Sequence, residues 1–204
     1  MKKSLMGLAL AAVAAFVAGC RTPTTIVDTI NDAGPQVAGL DYRNVQLAAN
    51  QLLQSLYRSG RLDRGDNQMY VMTVGKVKND TMQRFDTDIL TSYITQELMN
   101  SGKVMVTSAM AAGADNRDEM INGVRSVRGN AEFNQATVPQ TGQLVAPTHS
   151  VYGKIIQREI PMDNGDKQVE YYFQLRIDEL ATGLQWWQNQ TRIVKRTDGT
   201  TPTW

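Results

Sequence analysis

The sequence predicts an α/β (α+β) domain: a small mixed β-sheet of about four to five strands, helices packed against it, and an antiparallel hairpin towards the C-terminus. Three observations carry this. Residues 42–57 place Val45, Ala48, Ala49, Leu52, Leu53 and Leu56 on one stripe at helical spacing. Residues 69–107 read as strand, helix, strand. Two alternating runs flank Asp163-Asn164-Gly165-Asp166, and Asn-Gly between such runs is a strong hairpin signal.

The first helix runs from about Tyr42 to Tyr57. Gly60 stops it, and Arg61 to Asn67 make a polar loop. Met69 to Val77 is a strand with Met72 and Val74 on one side and Val71 and Val77 on the other. Apolar residues on both faces predict a central strand covered twice, and Lys78-Asn79-Asp80 breaks it. In the next helix Asp86 is placed to cap the exposed amides of the first turn. Ile89, Leu90, Tyr93, Ile94 and Leu98 form its buried stripe, and Gly102 ends it as a left-handed C-cap. Lys103 to Thr107 follows as a short strand; if it runs parallel to the first, the crossover is right-handed.

Asp115 to Val127 reads as a further helix with Met120, Ile121, Val124 and Val127 inward. Residues 128–147, with Gly129, Pro139, Gly142 and Pro147, read as a long surface loop with at most one helical turn. Val151 to Ile160 and Val169 to Leu180 are the hairpin strands. In the second, Val169, Tyr171, Phe173, Leu175 and Ile177 go inward, and Glu170, Tyr172, Gln174, Arg176 and Asp178 go to the other face. Ala181-Thr182-Gly183 turns the chain into a last strand, Leu184 to Val194. Its adjacent Trp186 and Trp187 should point to opposite faces. The globular domain is therefore expected over residues 41–196, with a polar tail, 197–204, that frays.

Ahead of the domain, Lys2 and Lys3 precede an apolar run from Leu5 to Ala18, and Val17-Ala18-Gly19-Cys20 closes it. The run is shorter than the roughly twenty apolar residues that span a bilayer. Charge, a short apolar stretch and small residues are the parts of a secretory signal. Here the small residues stand before the only cysteine, whose thiolate can attack and hold a lipid donor. The segment resembles a bacterial lipoprotein signal with its lipobox, which implies cleavage between Gly19 and Cys20 and acyl chains on Cys20. Each buried methylene contributes about 0.8 kcal/mol, so several chains hold the protein at a membrane surface, outside the cytosol. Arg21, in place of an Asp, favours the outer membrane. Residues 1–19 are thus the signal peptide, and 20–40 the lipidated N-terminus and a tether. Twenty residues span on the order of 25 Å as a coil and at most about 70 Å when stretched.

Composition excludes several function classes. Lys and Arg number 21 against 20 Asp and Glu, and the signal carries away Lys2 and Lys3 but no acid. A near-neutral chain gives no electrostatic case for nucleic acid. With Cys20 committed to lipid, no disulfide or cysteine-based zinc site can form. His149, the single histidine, reads as a loop or strand-edge residue without a catalytic part. No nucleophile-elbow motif appears. Gly60 and Gly65 have the spacing of a phosphate loop but lack the Lys and Ser or Thr that follow. Asp63-Arg64-Gly65-Asp66 lacks the spacing and terminal Glu of a calcium loop. No catalytic, cofactor or metal residue is therefore named, and no small-molecule substrate is expected. Two features are open to a binding reading. An exposed Trp beside Tyr172 would make a hot spot, against core packing of both tryptophans. Arg192, Lys195 and Arg196 form a basic strand end that either solvates an edge strand or contacts an acidic partner.

Four motifs recur in a familiar order: Val74-Gly75-Lys76-Val77-Lys78-Asn79-Asp80-Thr81, Asn100-Ser101-Gly102-Lys103-Val104, Val151-Tyr152-Gly153-Lys154-Ile155 and Ala181-Thr182-Gly183-Leu184-Gln185-Trp186. Together with the lipobox they resemble the LpoB family of outer-membrane lipoproteins, which activate peptidoglycan synthases. The resemblance covers residues 42–196. It implies a fold like the N-terminal domain of TolB and a protein partner, a class A penicillin-binding protein. Familiar members carry a long Pro-rich tether, where this chain has about twenty residues. The competing expectation is a non-catalytic structural or assembly adaptor in an envelope complex.

Overall fold

The computed structural model describes residues 26–29, 32–110 and 118–203. The expected signal peptide, Gly19, Cys20 and the start of the expected tether lie outside the described residues, as do residues 115–117 of the expected third helix. No helix among the described residues is long and apolar enough to cross a membrane. Residues 1–35 and 36–204 form separate units, and the fold described here is the second.

Helix α1 (Tyr42–Arg58) starts in a capping box. The Asp41 carboxylate accepts from Asn44 N at 3.0 Å, and the Asn44 side chain accepts from Asp41 N at 3.3 Å. These bonds satisfy amides that the first turn leaves without partners. Ala48, Ala49, Leu52, Leu53 and Leu56 are buried as their spacing predicts, and Val45 packs at the rim of the core. Helix α2 (Asp88–Asn100) buries Leu90, Thr91, Ile94 and Leu98. Ile89, expected inside, is 75 % exposed. Asp86 does accept from Asp88 N at 2.8 Å, but the helix begins one residue later than predicted and Thr87 holds the N-cap position. Gly102 has φ +68°, as its C-terminal role requires.

The sheet has six strands among the described residues, more than the expected four to five: β1 (Tyr70–Val74), β2 (Lys78–Asp80), β3 (Val104–Val106), β4 (His149–Pro161), β5 (Lys167–Glu179) and β6 (Gln185–Thr197). Their order is β3-β1-β4-β5-β6, with β2 paired to β4. The unit β1–α2–β3 is parallel, and β1 lies between β3 and β4 as a central strand. The expected single strand over 69–77 is divided. Gly75 N still donates to Val151 O at 2.8 Å, Lys76 and Val77 leave the ladder, and Lys78-Asn79-Asp80, read as a breaker, resumes it as β2 parallel to β4. Gly153 permits this crossing, because a Cβ there would meet Gln174 O at 3.0 Å and Val77 Cγ2 at 3.2 Å.

β4, β5 and β6 form a long antiparallel ribbon of thirteen-residue strands. Its odd-numbered β5 residues meet α1 and α2. Phe173, Leu175 and Ile155 close on Ala49, Leu52, Leu90 and Ile94. The Asn189 amide donates to Ser55 Oγ, and Thr191 Oγ donates to Gln51 on α1.

Three further expectations are corrected. Helix α3 is only Met120–Ser126 and buries none of its residues; Met120 is 68 % exposed, and the other predicted inward residues are half-buried. The tail, expected to fray over 197–204, is anchored over its described residues 197–203. The Asp198 carboxylate accepts from the amides and hydroxyls of Thr200 and Thr201, and Thr203 is 1 % exposed with its hydroxyl on Glu159. Trp186 and Trp187 do not face opposite ways. Ile177 pairs with Trp187 and Asp178 with Gln185, so Trp186 is the extra residue of a β-bulge. Both indoles pack against the core. Residues 127–148 are irregular, as expected, and held by side chains: the Arg128 guanidinium donates to Pro139 O at 2.7 Å and to Gln140 O at 3.0 Å.

Candidate docking face

Alternation along the ribbon places one set of side chains on the helices and the other on the opposite face of the sheet. On that outer face the strand register builds cross-strand rows. Tyr152, Arg176 and Gln188 form one, Ile156, Tyr172 and Arg192 another, and Arg158, Glu170 and Val194 a third. These residues are half-buried to exposed, with the exception of Glu170 at 7 %.

Glu170 is the centre of the face. Tyr172 OH donates to its Oε2 at 2.5 Å and the Gln168 amide donates to Oε1 at 2.9 Å. Those bonds, the Tyr172 one first, hold its carboxyl below the usual carboxylate range, and Arg158 and Arg192 add to the effect. The same bond pushes the Tyr172 phenol up. Tyr172 is thereby fixed in orientation, with Arg192 beside it. A second cluster has the same logic: Tyr152 OH donates to Asp178 at 3.0 Å, and Arg176 reaches Asp178 at 2.9 Å while lying 5.4 Å over the Tyr152 ring. Lys154 is paired with Asp80 of β2 at 2.6 Å.

Basic residues dominate this face. Lys154, Arg158, Arg176, Arg192 and Arg196 stand against Glu170 and Asp178 on the three long strands, in a chain whose charges otherwise nearly balance. Fixed tyrosines and arginines are the residue types that anchor protein interfaces. The face holds no cluster of groups poised for bond-making chemistry, and among the described residues no group of His, Cys, Asp and Glu could hold a metal ion.

The sequence-predicted candidates are distributed differently from expectation. The basic strand end is split between the two faces. Arg192 and Arg196 lie outside, while Lys195 points to the helix side and donates to Val37 O at 2.8 Å and Gly39 O at 2.5 Å. Burial pushes its pKa down. Trp186 and Tyr172 do not combine into a hot spot, because the bulge turns Trp186 to the core side. His149 is no exposed edge residue: it opens β4, the neighbour of both β1 and β5, and is buried. Sequence reading did not gather Lys154 and Arg158 into the site. Their alternation with Val151, Gly153 and Ile155 was the available signal.

The family described as "Peptidoglycan-synthase activator LpoB" matches residues 44–193. The chain resembles the LpoB C-terminal domain from Escherichia coli at 15 % identity and a TM-score of 0.42, covering 71 % of this chain and 97 % of that one. The Salmonella enterica LpoB C-terminal domain gives 14 % identity and a TM-score of 0.40 over 71 % and 97 %. Lipoprotein GNA1162 from Neisseria meningitidis gives 13 % and 0.38 over 63 % and 84 %. No curated protein matches the chain.

Proposed function

The chain belongs to the LpoB family of peptidoglycan-synthase activators, and on that premise we propose that it is a lipid-anchored, non-catalytic protein that binds a class A penicillin-binding protein and raises its activity. The docking element is the outer face of β4, β5 and β6. The single observation that carries this assignment is the basic, tyrosine-bearing surface centred on Glu170, set on the family's matched residues. Its partner surface is a folded acidic one, since arginines held in place by the sheet lose little entropy on pairing with carboxylates. An activator needs only a higher affinity for the active state of the synthase than for the inactive one. About 1.4 kcal/mol of such preference shifts the balance tenfold.

Placement follows from the N-terminus. Residues 1–19 direct export, signal cleavage after Gly19 frees Cys20, and Cys20 carries the lipid. The globular domain, 41–196, then faces the periplasm on a short tether from the outer membrane. The two halves of the proposal have separate tests. Adding the full chain to a class A synthase in a glycan-polymerisation assay should raise the rate, with a gain that falls as salt screens the arginines. Synthase binding without a rate change replaces activation by the adaptor role, and no binding removes both. Cys20→Ala should release the protein from membranes on cell fractionation; retention overturns the anchor.

A further inference from the structure

His149 is 5 % exposed, at the start of β4, opposite Met72 of β1 and Glu179 of β5. Its ring meets Tyr70 and Trp186 edge-on, with centroids 5.1 and 4.8 Å away, and those two rings are 5.3 Å apart. Two arginines of the preceding loop rest on the trio. Arg64 lies 5.0 Å over Tyr70 and Arg61 lies 5.9 Å over Trp186. The three rings together thus join β4, β1, the bulge of β6 and the Arg61–Asn67 loop.

The protons on this ring can be assigned. Thr148 Oγ donates its one proton to Val71 O at 2.9 Å. With that proton directed to Val71 O, the 2.9 Å contact of the hydroxyl with His149 Nδ1 is assigned as donation from the imidazole. Nδ1 therefore carries the ring proton, and Nε2 is the basic nitrogen. Nε2 is buried and has no hydrogen-bond partner. A proton arriving there creates a buried cation with an N–H that finds no acceptor. None of the surrounding carboxylates lies within hydrogen-bond distance of Nε2, and each is engaged elsewhere. Asp66 is engaged by Arg64 at 2.6 Å and Asp63 by Lys103. Glu179, the cross-strand neighbour, accepts from Thr182 Oγ at 2.6 Å, and Arg64 adds a like charge.

We propose that His149 is an acid-sensitive latch: proton uptake at Nε2 expels the ring from between Tyr70 and Trp186 and frees the residue 61–67 loop and the β6 bulge. The direction of its titration agrees. Burial, the largest influence, lowers the pKa from the ordinary 6.5; Glu179 opposes this and Arg64 reinforces it. The sign follows by linkage. Above pH 6.5 the closed corner has its full stability. Below that value the opened ring binds a proton that the closed ring refuses, so the open population rises about tenfold per pH unit until the folded pKa is reached. The biological use of such a latch rests on the envelope location proposed above, where the surroundings set the pH. The chemistry is testable without it.

The full chain has one histidine, so its imidazole gives one NMR signal. Expected are the Nδ1–H tautomer at neutral pH, a midpoint below 6.5, and a coincident change in tryptophan emission on titration from about pH 8 to 5. Amide protection at residues 148–150 and 185–187 should hold steady above pH 6.5 and fall about tenfold per pH unit below it, until the folded pKa is reached. His149→Phe keeps a ring in the gap but takes no proton, and should abolish the acid transition. An ordinary midpoint near 6.5 without an emission change overturns the latch, as does a transition that survives in H149F. If H149F does not fold, the wild-type chain decides: coincident ring and tryptophan midpoints support the latch, and separate ones overturn it.

Discussion

The two faces of β5 share one backbone and differ in almost everything else. Residues 169, 171, 173, 175 and 177 are sealed against the helices, where only volume and shape matter. Residues 170, 172, 174, 176 and 178 lie on the outer face, held by hydrogen bonds and an ion pair: Tyr172 to Glu170, Arg176 to Asp178, and Gln174 to Gln190 of β6. A strand with period two can therefore carry the core and the binding surface at once, and a change of face separates stability from recognition. Even the exceptions fit. Tyr171 is wholly buried and its hydroxyl has no partner, so its phenol is pushed up to about 12, by burial first and Glu159 second. Glu170 is a buried acid on the outer face, kept charged by the groups around it.

The largest effect should come from the inner face. Ile177 is fully buried, paired with Val151 on β4 and with Trp187 beside the bulge. Ile177→Ala removes apolar atoms from the buried core beside the indoles and leaves a cavity there. The expected cost is about 2–5 kcal/mol in a urea unfolding curve of the full chain. A loss below about 1 kcal/mol would mean that this end of the ribbon is loosely packed. The contrast between the faces would then be weaker than burial indicates.

How much of this was legible in the sequence follows from range. The face assignment of β5 was readable because alternation is local, and so was the stripe of α1. The hairpin was readable because Asn164-Gly165 supplies the positive φ, +89° at Gly165, that its turn needs. What failed was non-local. Lys78-Asn79-Asp80 looks like a breaker until β4 lies beside it. The adjacent indoles share a side only because β6 bulges against Ile177 and Asp178. His149 is an unremarkable residue in sequence, and its environment is assembled from β1, β6 and a loop far away along the chain. The outer-face cluster was half legible. Tyr172 and Arg176 were placed on the correct side, but the register that brings Arg158 and Arg192 to Glu170 belongs to three strands at once.

The smallest effect on stability, and a large one on function, should come from that cluster. Arg158 and Arg192 are exposed and lie on opposite sides of the Glu170–Tyr172 pair. Arg158→Gln and Arg192→Gln keep the side-chain length and remove the charge. Glu170 keeps its two hydrogen bonds, so each variant should unfold within about 0.5 kcal/mol of the parent. If this face meets an acidic synthase surface, each should weaken binding about tenfold, the double variant more, and the salt dependence of binding should flatten. The two residues share Glu170 as a neighbour, so their effects need not add. Unchanged binding in the double variant would move the docking site off this face while leaving the fold and the family as they are. A loss of stability matching the loss of binding would instead show that the outer arginines hold the ribbon together, and the division between a structural face and a recognition face would fail at its centre.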